Sequence, residues 1–430
     1  MYFLYNIALW VGFLALTPRF LYDKLTDGKW AAGFSQRFGA VPAFDAEGRK
    51  VVLLHCVSVG EANAALPLAR KLKETFPHIA LVVSTTTRTG QQVARDAYAG
   101  VADLVVYFPF DLRGSVKRFL RQTRPDIVLL TETELWFNFL RQATRSGARV
   151  AIVNGRLSAR SFRRYSRIKG FMKQLLGYVD LALMQGDADA ERLKSLGADA
   201  AKVTVAGNLK FDVDTSIGES EITREFRGRF GITADAPLIL AASTHAPEEQ
   251  ILLDAFAAVR ERARSARLML VPRHPERFDE VAALISSSGF GFVRRSQSQL
   301  PTDAKADVIL LDSIGELKAV YPLAEIVFVG GSLIPHGGQS IFEPAAVGKP
   351  IVTGPHTANF DAAVKEFLSR DALVQLMGTR SEDLAAALIK LLSDRAGRQS
   401  LGQNALAVME SNRGAVERTI EYLAPLLTSR

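Results

Sequence analysis

Short runs of β-branched and aliphatic residues alternate along the chain with longer stretches whose apolar positions recur at helical spacing. This alternation constrains the fold more than any other feature. In the first half the runs fall at 51–56, 79–84, 127–131, 150–154, 181–184 and 203–206. The intervening segments place residues such as Leu66, Ala69 and Leu72 on one helical face. After the polar stretch FDVDTSIGESE at 211–221 the pattern restarts, with runs at 238–242, 268–271, 308–311, 326–329 and 351–353. Strands separated by helix-length segments cannot pair as hairpins, so they form βαβ units and a parallel, doubly wound α/β sheet.

With 430 residues and 48% hydrophobic content, the chain can bury more than one core. The expected organisation is a leading apolar segment over 1–18, a Rossmann-like domain over 19–210 and a linker over 211–222. A second Rossmann-like domain follows over 223–410, and a C-terminal helix over 411–430 is placed to pack back on the first. In such sheets ligands bind in the crevice beyond the carboxyl ends of the strands.

The segment 1–18 contains no charged residue and is rich in Phe, Leu, Ala and Trp. As a helix it would be roughly 27 Å long, close to the ~30 Å hydrocarbon core, so a membrane anchor is expected. Arg19, Lys24 and Lys29 follow it, which leaves the body of the protein on the cytoplasmic side of an inner membrane. The formal charge of +8 calls for a partner carrying phosphates. The single cysteine, Cys56, excludes an internal disulfide, and the six histidines lack metal-ligand spacing.

The candidate site residues stand just past the runs. In SVGE, Glu61 opens a helix beyond the first run. From position alone it serves equally as a capping acid or as a base facing the crevice. In the second half, Ser243, Thr244 and His245 precede a helix expected to have Pro247 at its first position, with free N–H groups for a phosphate. Arg273 and His274 follow the next run, where a guanidinium can grip a phosphate or carboxylate. Gly330-Gly331 and Gly337-Gly338 allow close backbone approach, and Glu343 suits a ribose diol.

Taken in order, SVGEANAALPL, STTTRTG, YFPFDLRGSVKRFL, PDIVLLTETELW, NGRLSARS, GNLKFD, STHAPEE, PRHPERF, GELK, FVGGSL and GPHTANF run through nearly the whole chain. In these the chain resembles the 3-deoxy-D-manno-octulosonate (Kdo) transferases of lipopolysaccharide synthesis, glycosyltransferases of GT-B fold with two Rossmann-like domains facing across a cleft. The resemblance implies inverting transfer of Kdo from CMP-Kdo to a lipid A precursor. It implies Glu61 as the general base; a fully active Glu61→Gln enzyme would move that role to Glu132 or Glu134. It further implies a CMP site lined by Arg273, His274, Lys210, Gly315, Glu316, Leu317 and Glu343. Such enzymes manage the leaving phosphate with basic residues and helix dipoles, so no metal or other cofactor is expected, and Asp187 and Asp212 of the two D-x-D tripeptides read as cap and linker. Gln339 and Ser340 stand where the family often has His-Asn, and Gln36 where it often has Glu. Phe137 replaces a proline, a local change.

The stretch 155–173 carries seven Lys/Arg and no acid. Arg160, Arg163, Arg164 and Arg167 share one helical face, preceded by Arg156. Beside an anchor, such a face suits anionic headgroups or a phosphorylated lipid acceptor; no nucleic-acid-binding module is present. The alternatives are a GT-B transferase using a UDP-sugar on a lipid, and a catalytically silent nucleotide- or lipid-binding protein.

Overall fold

The computed structural model describes residues 2–25, 33–212, 220–233 and 235–428. The chain forms two units, one of Met1–Asp212 with Asn412–Arg430 and the other of Val213–Ser411. Positions 213–219 of the expected linker, and Lys29 beside the expected anchor, lie outside the described residues.

The strands of the first unit are β1 (Lys50–Cys56), β2 (Ile79–Thr85), β3 (Leu104–Tyr107), β4 (Ile127–Thr131), β5 (Arg149–Gly155), β6 (Leu181–Met184) and β7 (Val203–Val205). They form one sheet in the order β3-β2-β1-β4-β5-β6-β7, every pairing parallel. Both faces are covered, which is why the strands read as unbroken apolar runs. Alternate residues still separate cleanly. Val51 and Leu53 of β1, Val128 and Leu130 of β4, and Val150 and Ile152 of β5 enter one core. Val52, Leu54, Ile127, Leu129, Ala151 and Val153 enter the other. The second core is closed by Ala65, Leu68 and Leu72 of the helix Val59–Thr75 and by Val416, Ile420 and Leu423 of the C-terminal helix Ala415–Thr428. Asp212 ties that helix down, its carboxylate accepting the N–H groups of Gly414 at 2.8 Å and Val416 at 2.5 Å. Asp212 thus caps a helix of the folded unit.

In the second unit β8 (Leu238–Thr244), β9 (Arg267–Pro272), β10 (Phe292–Arg294), β11 (Val308–Leu310), β12 (Ile326–Val329), β13 (Ile351–Thr353) and β14 (Val374–Gln375) pair in the order β10-β11-β9-β8-β12-β13-β14, again parallel throughout. Ile239, Leu268, Val308 and Phe328 pack beneath the helices Glu248–Arg262 and Ser381–Ser393. Arg229 is buried in this unit. Its Nε meets Asp303 at 2.8 Å, and it donates to the carbonyls of Arg295 and Gln297 at 2.9 and 2.7 Å, so the buried charge is paired and its donors are used.

The leading segment differs from expectation. Its helix runs over Tyr2–Leu25, past position 18, and no described helix is long and apolar enough to cross a membrane. Instead it docks along its own unit. Tyr2 meets Phe137 tilted at 5.5 Å and Tyr5 meets it edge-to-face at 5.4 Å between ring centroids, and Tyr5 also meets Phe171. Phe13 meets Phe38 and Phe110, and the Asn138 amide donates to Asn6 at 2.9 Å. Phe137 is therefore more than a local replacement, because it forms the floor on which the helix rests. The outer face exposes Phe3, Leu4, Ile7, Trp10, Val11 and Leu14.

The Tyr5 hydroxyl donates to Asp111 Oδ2 at 2.7 Å. That carboxylate also accepts the N–H groups of Asn138 and Phe139, and burial raises its pKa to about 6. Tyr5→Phe should cost about 1.5–3 kcal/mol, the worth of a hydrogen bond to a charged group. A lower thermal midpoint, with faster proteolysis inside Tyr2–Leu25, is the expected result.

Candidate active site

The order of strands in the first sheet reverses between β1 and β4, and a crevice opens there because successive crossovers leave on opposite faces. Glu61 stands in the first turn after β1, and Thr131 ends β4. Ser58 is the N-cap of the helix Val59–Thr75, its hydroxyl oxygen facing the Glu61 N–H at 3.4 Å. The Glu61 carboxylate turns back over the cap. Oε2 accepts the Val57 N–H at 2.9 Å and lies 2.6 Å from Thr131 Oγ1, while Oε1 accepts the Ser58 hydroxyl at 2.9 Å. Glu61 thus stands at the third helical position, paired reciprocally with the N-cap Ser58, and the same bonds hold its carboxylate at the strand ends.

The backbone turns sharply after β4, with Glu132 in the left-handed region at φ 56. Strain of this kind persists where the surroundings fix it, commonly at functional sites. The turn gathers a carboxylate cluster. Burial raises the Glu132 pKa, which Lys210 opposes and Glu61 reinforces. Glu134 is pushed up to about 7, first by burial and then by the charges of Glu61 and Glu132. The Lys210 Nζ lies 3.8 Å from Glu132 Oε1. Lys210 sits in the turn Leu209–Phe211 of the first unit, so the structure brings it to the carboxylates, a placement that its grouping with the CMP residues did not anticipate. Arg156 follows β5 and acts electrostatically on Glu132. Arg160, Arg163 and Arg164 lie on the helix Ala159–Ser166 with Arg167 at its C-cap, all exposed, while Phe162 and Tyr165 pack inward. Gln36 Oε1 accepts the Tyr107 N–H at 2.9 Å, a bond that a carboxylate could make equally well.

The order of the second sheet reverses between β8 and β12. Ser243 is also left-handed, at φ 57. Gly330 passes so close to it that an added Cβ would lie 2.5 Å from the Ser243 carbonyl oxygen. Here Gly-Gly serves the approach of one strand end to another. The helix begins at Glu248, one residue later than expected. The buried Glu248 carboxylate accepts N–H groups from His245, Gly331, Ser332 and Leu333 at 2.7–3.0 Å. Glu249 accepts the Thr244 hydroxyl at 2.8 Å and pairs with Arg277 at 2.8 Å. Neither glutamate was a candidate, although STHAPEE contains both.

His245 faces His336 at 4.3 Å and His274 at 5.3 Å between ring centroids. Burial and the two neighbouring rings lower its pKa to about 4. Arg273 is exposed, its N–H bonded to the Thr244 carbonyl, and no carboxylate among the described residues pairs with its guanidinium. Gly315 takes φ 89 before Leu317 opens a short helix, and Glu316 is committed to Arg295 at 2.8 Å. Ser340 donates to Glu343. Gln339 lies beside Gly331, and Gly338 donates to the Gly331 carbonyl. A cavity of about 380 Å³ opens between His336 and His356.

Residues 32–213 match the family described as 3-deoxy-D-manno-octulosonic-acid transferase (kdotransferase). The chain shares its fold with a glycosyltransferase from Rickettsia africae ESF-5, at TM-score 0.58 and 13% identity over 89% of this chain and 100% of that one. That likeness defines the fold alone, an α/β protein built on two parallel sheets. The 3-deoxy-D-manno-octulosonic acid transferase of Haemophilus influenzae is 36% identical over 87% of both chains. That of Bordetella pertussis is 34% identical over 92% of both. The chain belongs to the Kdo transferase family.

Because the Glu134 pKa is raised in the folded state, the fold holds a proton that the unfolded chain has lost between about pH 4.5 and 7. Stability contributed at this residue therefore falls as pH rises through that window and stays low above it. Glu134→Gln should melt higher than the parent at pH 8, with the difference shrinking toward pH 5 in paired thermal scans.

Proposed function

We propose that this chain transfers Kdo from CMP-Kdo to a hydroxyl of a lipid A precursor, with inversion and with Glu61 as general base. The observation that carries this reading is the Glu61 carboxylate, held by three donors at the switch point of the first sheet in a Kdo transferase chain. Oε1 accepts a single bond there, which leaves a lone pair for the acceptor hydroxyl. Glu61 takes the hydroxyl proton as the acceptor oxygen forms its bond to the ketosidic carbon, and the bond to the CMP phosphate breaks with its electron pair on the phosphate. Lys210, beside Glu132, adds positive charge to this face of the unit.

The donor reading rests on the second unit. Arg273 offers an exposed guanidinium to a phosphate or to the sugar carboxylate. Ser243, Thr244, His245, His274, the turn Gly315-Glu316-Leu317, Gly330, Gly331, Gln339, Ser340 and Glu343 stand at the carboxyl ends of its strands. We propose no metal, since fixed cationic and N–H groups suffice to stabilise a leaving phosphate. Turnover should then be unchanged in excess EDTA.

Membrane attachment fits an in-plane arrangement at the cytoplasmic face of the inner membrane. The outer face of Tyr2–Leu25 exposes Trp10, Phe3 and Leu14, and the cations of Ala159–Ser166 suit anionic headgroups. Reversing two of them in Arg163→Glu/Arg164→Glu should weaken binding to anionic vesicles by at least about 2 kcal/mol, read by co-sedimentation. Unchanged binding removes this face from the membrane contact.

The activity itself is tested by mass spectrometry of a tetra-acylated lipid A precursor after incubation with freshly generated CMP-Kdo. The parent should add the mass of Kdo. Glu61→Gln should lower single-turnover rate by roughly 10²–10⁴ while donor affinity is kept. A variant that melts lower yet turns over at the parent rate assigns Glu61 to capping alone.

A further inference from the structure

The Thr131 hydroxyl has one proton and two oxygens in reach. Glu61 Oε2 lies at 2.6 Å and the His55 carbonyl oxygen at 2.8 Å. Thr131 is 2% exposed, so water does not resolve the competition. A hydroxyl donates once and accepts through its lone pairs. With Glu61 ionised, the proton points to the carboxylate, because a charged acceptor makes the stronger bond. With Glu61 protonated, that preference disappears and the O–H can turn onto the His55 carbonyl, already at bonding distance. Thr131 Oγ1 then presents a lone pair to the carboxyl group. Both states keep the buried hydroxyl satisfied by rotation about one bond.

We infer that Thr131 is a positioning residue that supports Glu61 in both of its protonation states by moving its hydrogen bond between the carboxylate and the His55 carbonyl. The inference rests on the reading of Glu61 as the base. The balance is that of the transfer itself: the acceptor O–H bond breaks and a Glu61 O–H bond forms, the acceptor oxygen's electron pair makes the new C–O bond, and CMP leaves with the pair of the broken bond. Thr131 keeps its own proton throughout.

The groups that face Glu61 are few. From β1 comes Cys56, whose thiol is pushed up by burial and by the Glu61 charge. The His55 ring turns to the other face of the sheet, against Ser84 and Phe108, and burial lowers its pKa to about 3. From the segment after β4 come Glu132 and Glu134, with Lys210 and Arg156 acting on Glu132. Of these, Cys56 also hydrogen-bonds to Thr131, so removing the hydroxyl alters the thiol as well as the carboxylate, and Thr131→Ser restores both contacts.

The test compares Thr131→Val, which keeps the shape and deletes the hydroxyl, with Thr131→Ser, which restores it. The readouts are the pH dependence of kcat/KM for Kdo transfer and KM for CMP-Kdo. Thr131→Val should move the acidic limb upward by about one to two pH units, the size of one charge-assisted hydrogen bond, with KM unchanged. Thr131→Ser should return the limb to the parent position. A parent-like limb in Thr131→Val overturns the inference, as does a Thr131→Ser enzyme as displaced as the valine variant. If Thr131→Val does not fold, Thr131→Ala carries the same comparison. Glu61→Gln is run alongside. Parent-level turnover there overturns the base reading and this inference together, whereas an inactive Glu61→Gln beside a parent-like Thr131→Val overturns this inference alone.

Discussion

Everything at the candidate site depends on the parallel pairing of β1 with β4. Parallel strands bring all their carboxyl ends to one edge, and the reversal of order at this pair sends the two following segments apart. Glu61 enters from one side and Thr131 with its acidic successors from the other. The same device recurs between β8 and β12, where the approach is close enough that only glycine fits at position 330. Site chemistry is thus set by a sheet whose strands are packed on both faces.

Around Glu61 the electrostatics oppose one another. The Glu61 carboxylate accepts hydrogen bonds from Val57, Ser58 and Thr131, while its charge pushes up the pKa values of Glu132 and Glu134. Both neighbours are raised, and Glu134 is the one raised into the neutral range. A base must be ionised and yet able to accept. The division of roles follows from the number of donors each carboxylate has, since the three acids share one residue type.

The central strands were legible because they are buried on both faces and therefore continuous in the sequence, as with 127–131 and 181–184. The strands that went unread, β3, β10 and β14, all lie at sheet edges, where short, half-buried runs leave a weak pattern. Glu61 was legible as a candidate because it follows a strand and a glycine. Its bonds to Thr131 and Val57 join positions that only the fold brings together. Lys210 was grouped with the CMP residues by its motif, and its partner Glu132 is set by the return of 209–211 to the strand ends. The N-terminal segment was legible as an apolar helix, and its packing was not, because composition does not reveal that Tyr2, Tyr5 and Phe13 face aromatic partners on the body of the unit.

The buried Glu248 carboxylate acts as a built-in counter-ion for the loop after β12. The converging N–H groups of Gly331, Ser332 and Leu333 form the kind of concavity that elsewhere waits for an anion to order it. Here the anion is part of the chain and arrives during folding. A loop so held has little conformational freedom left to lose when a ligand comes. Any ligand at this edge of the sheet meets a loop already ordered by its own chain.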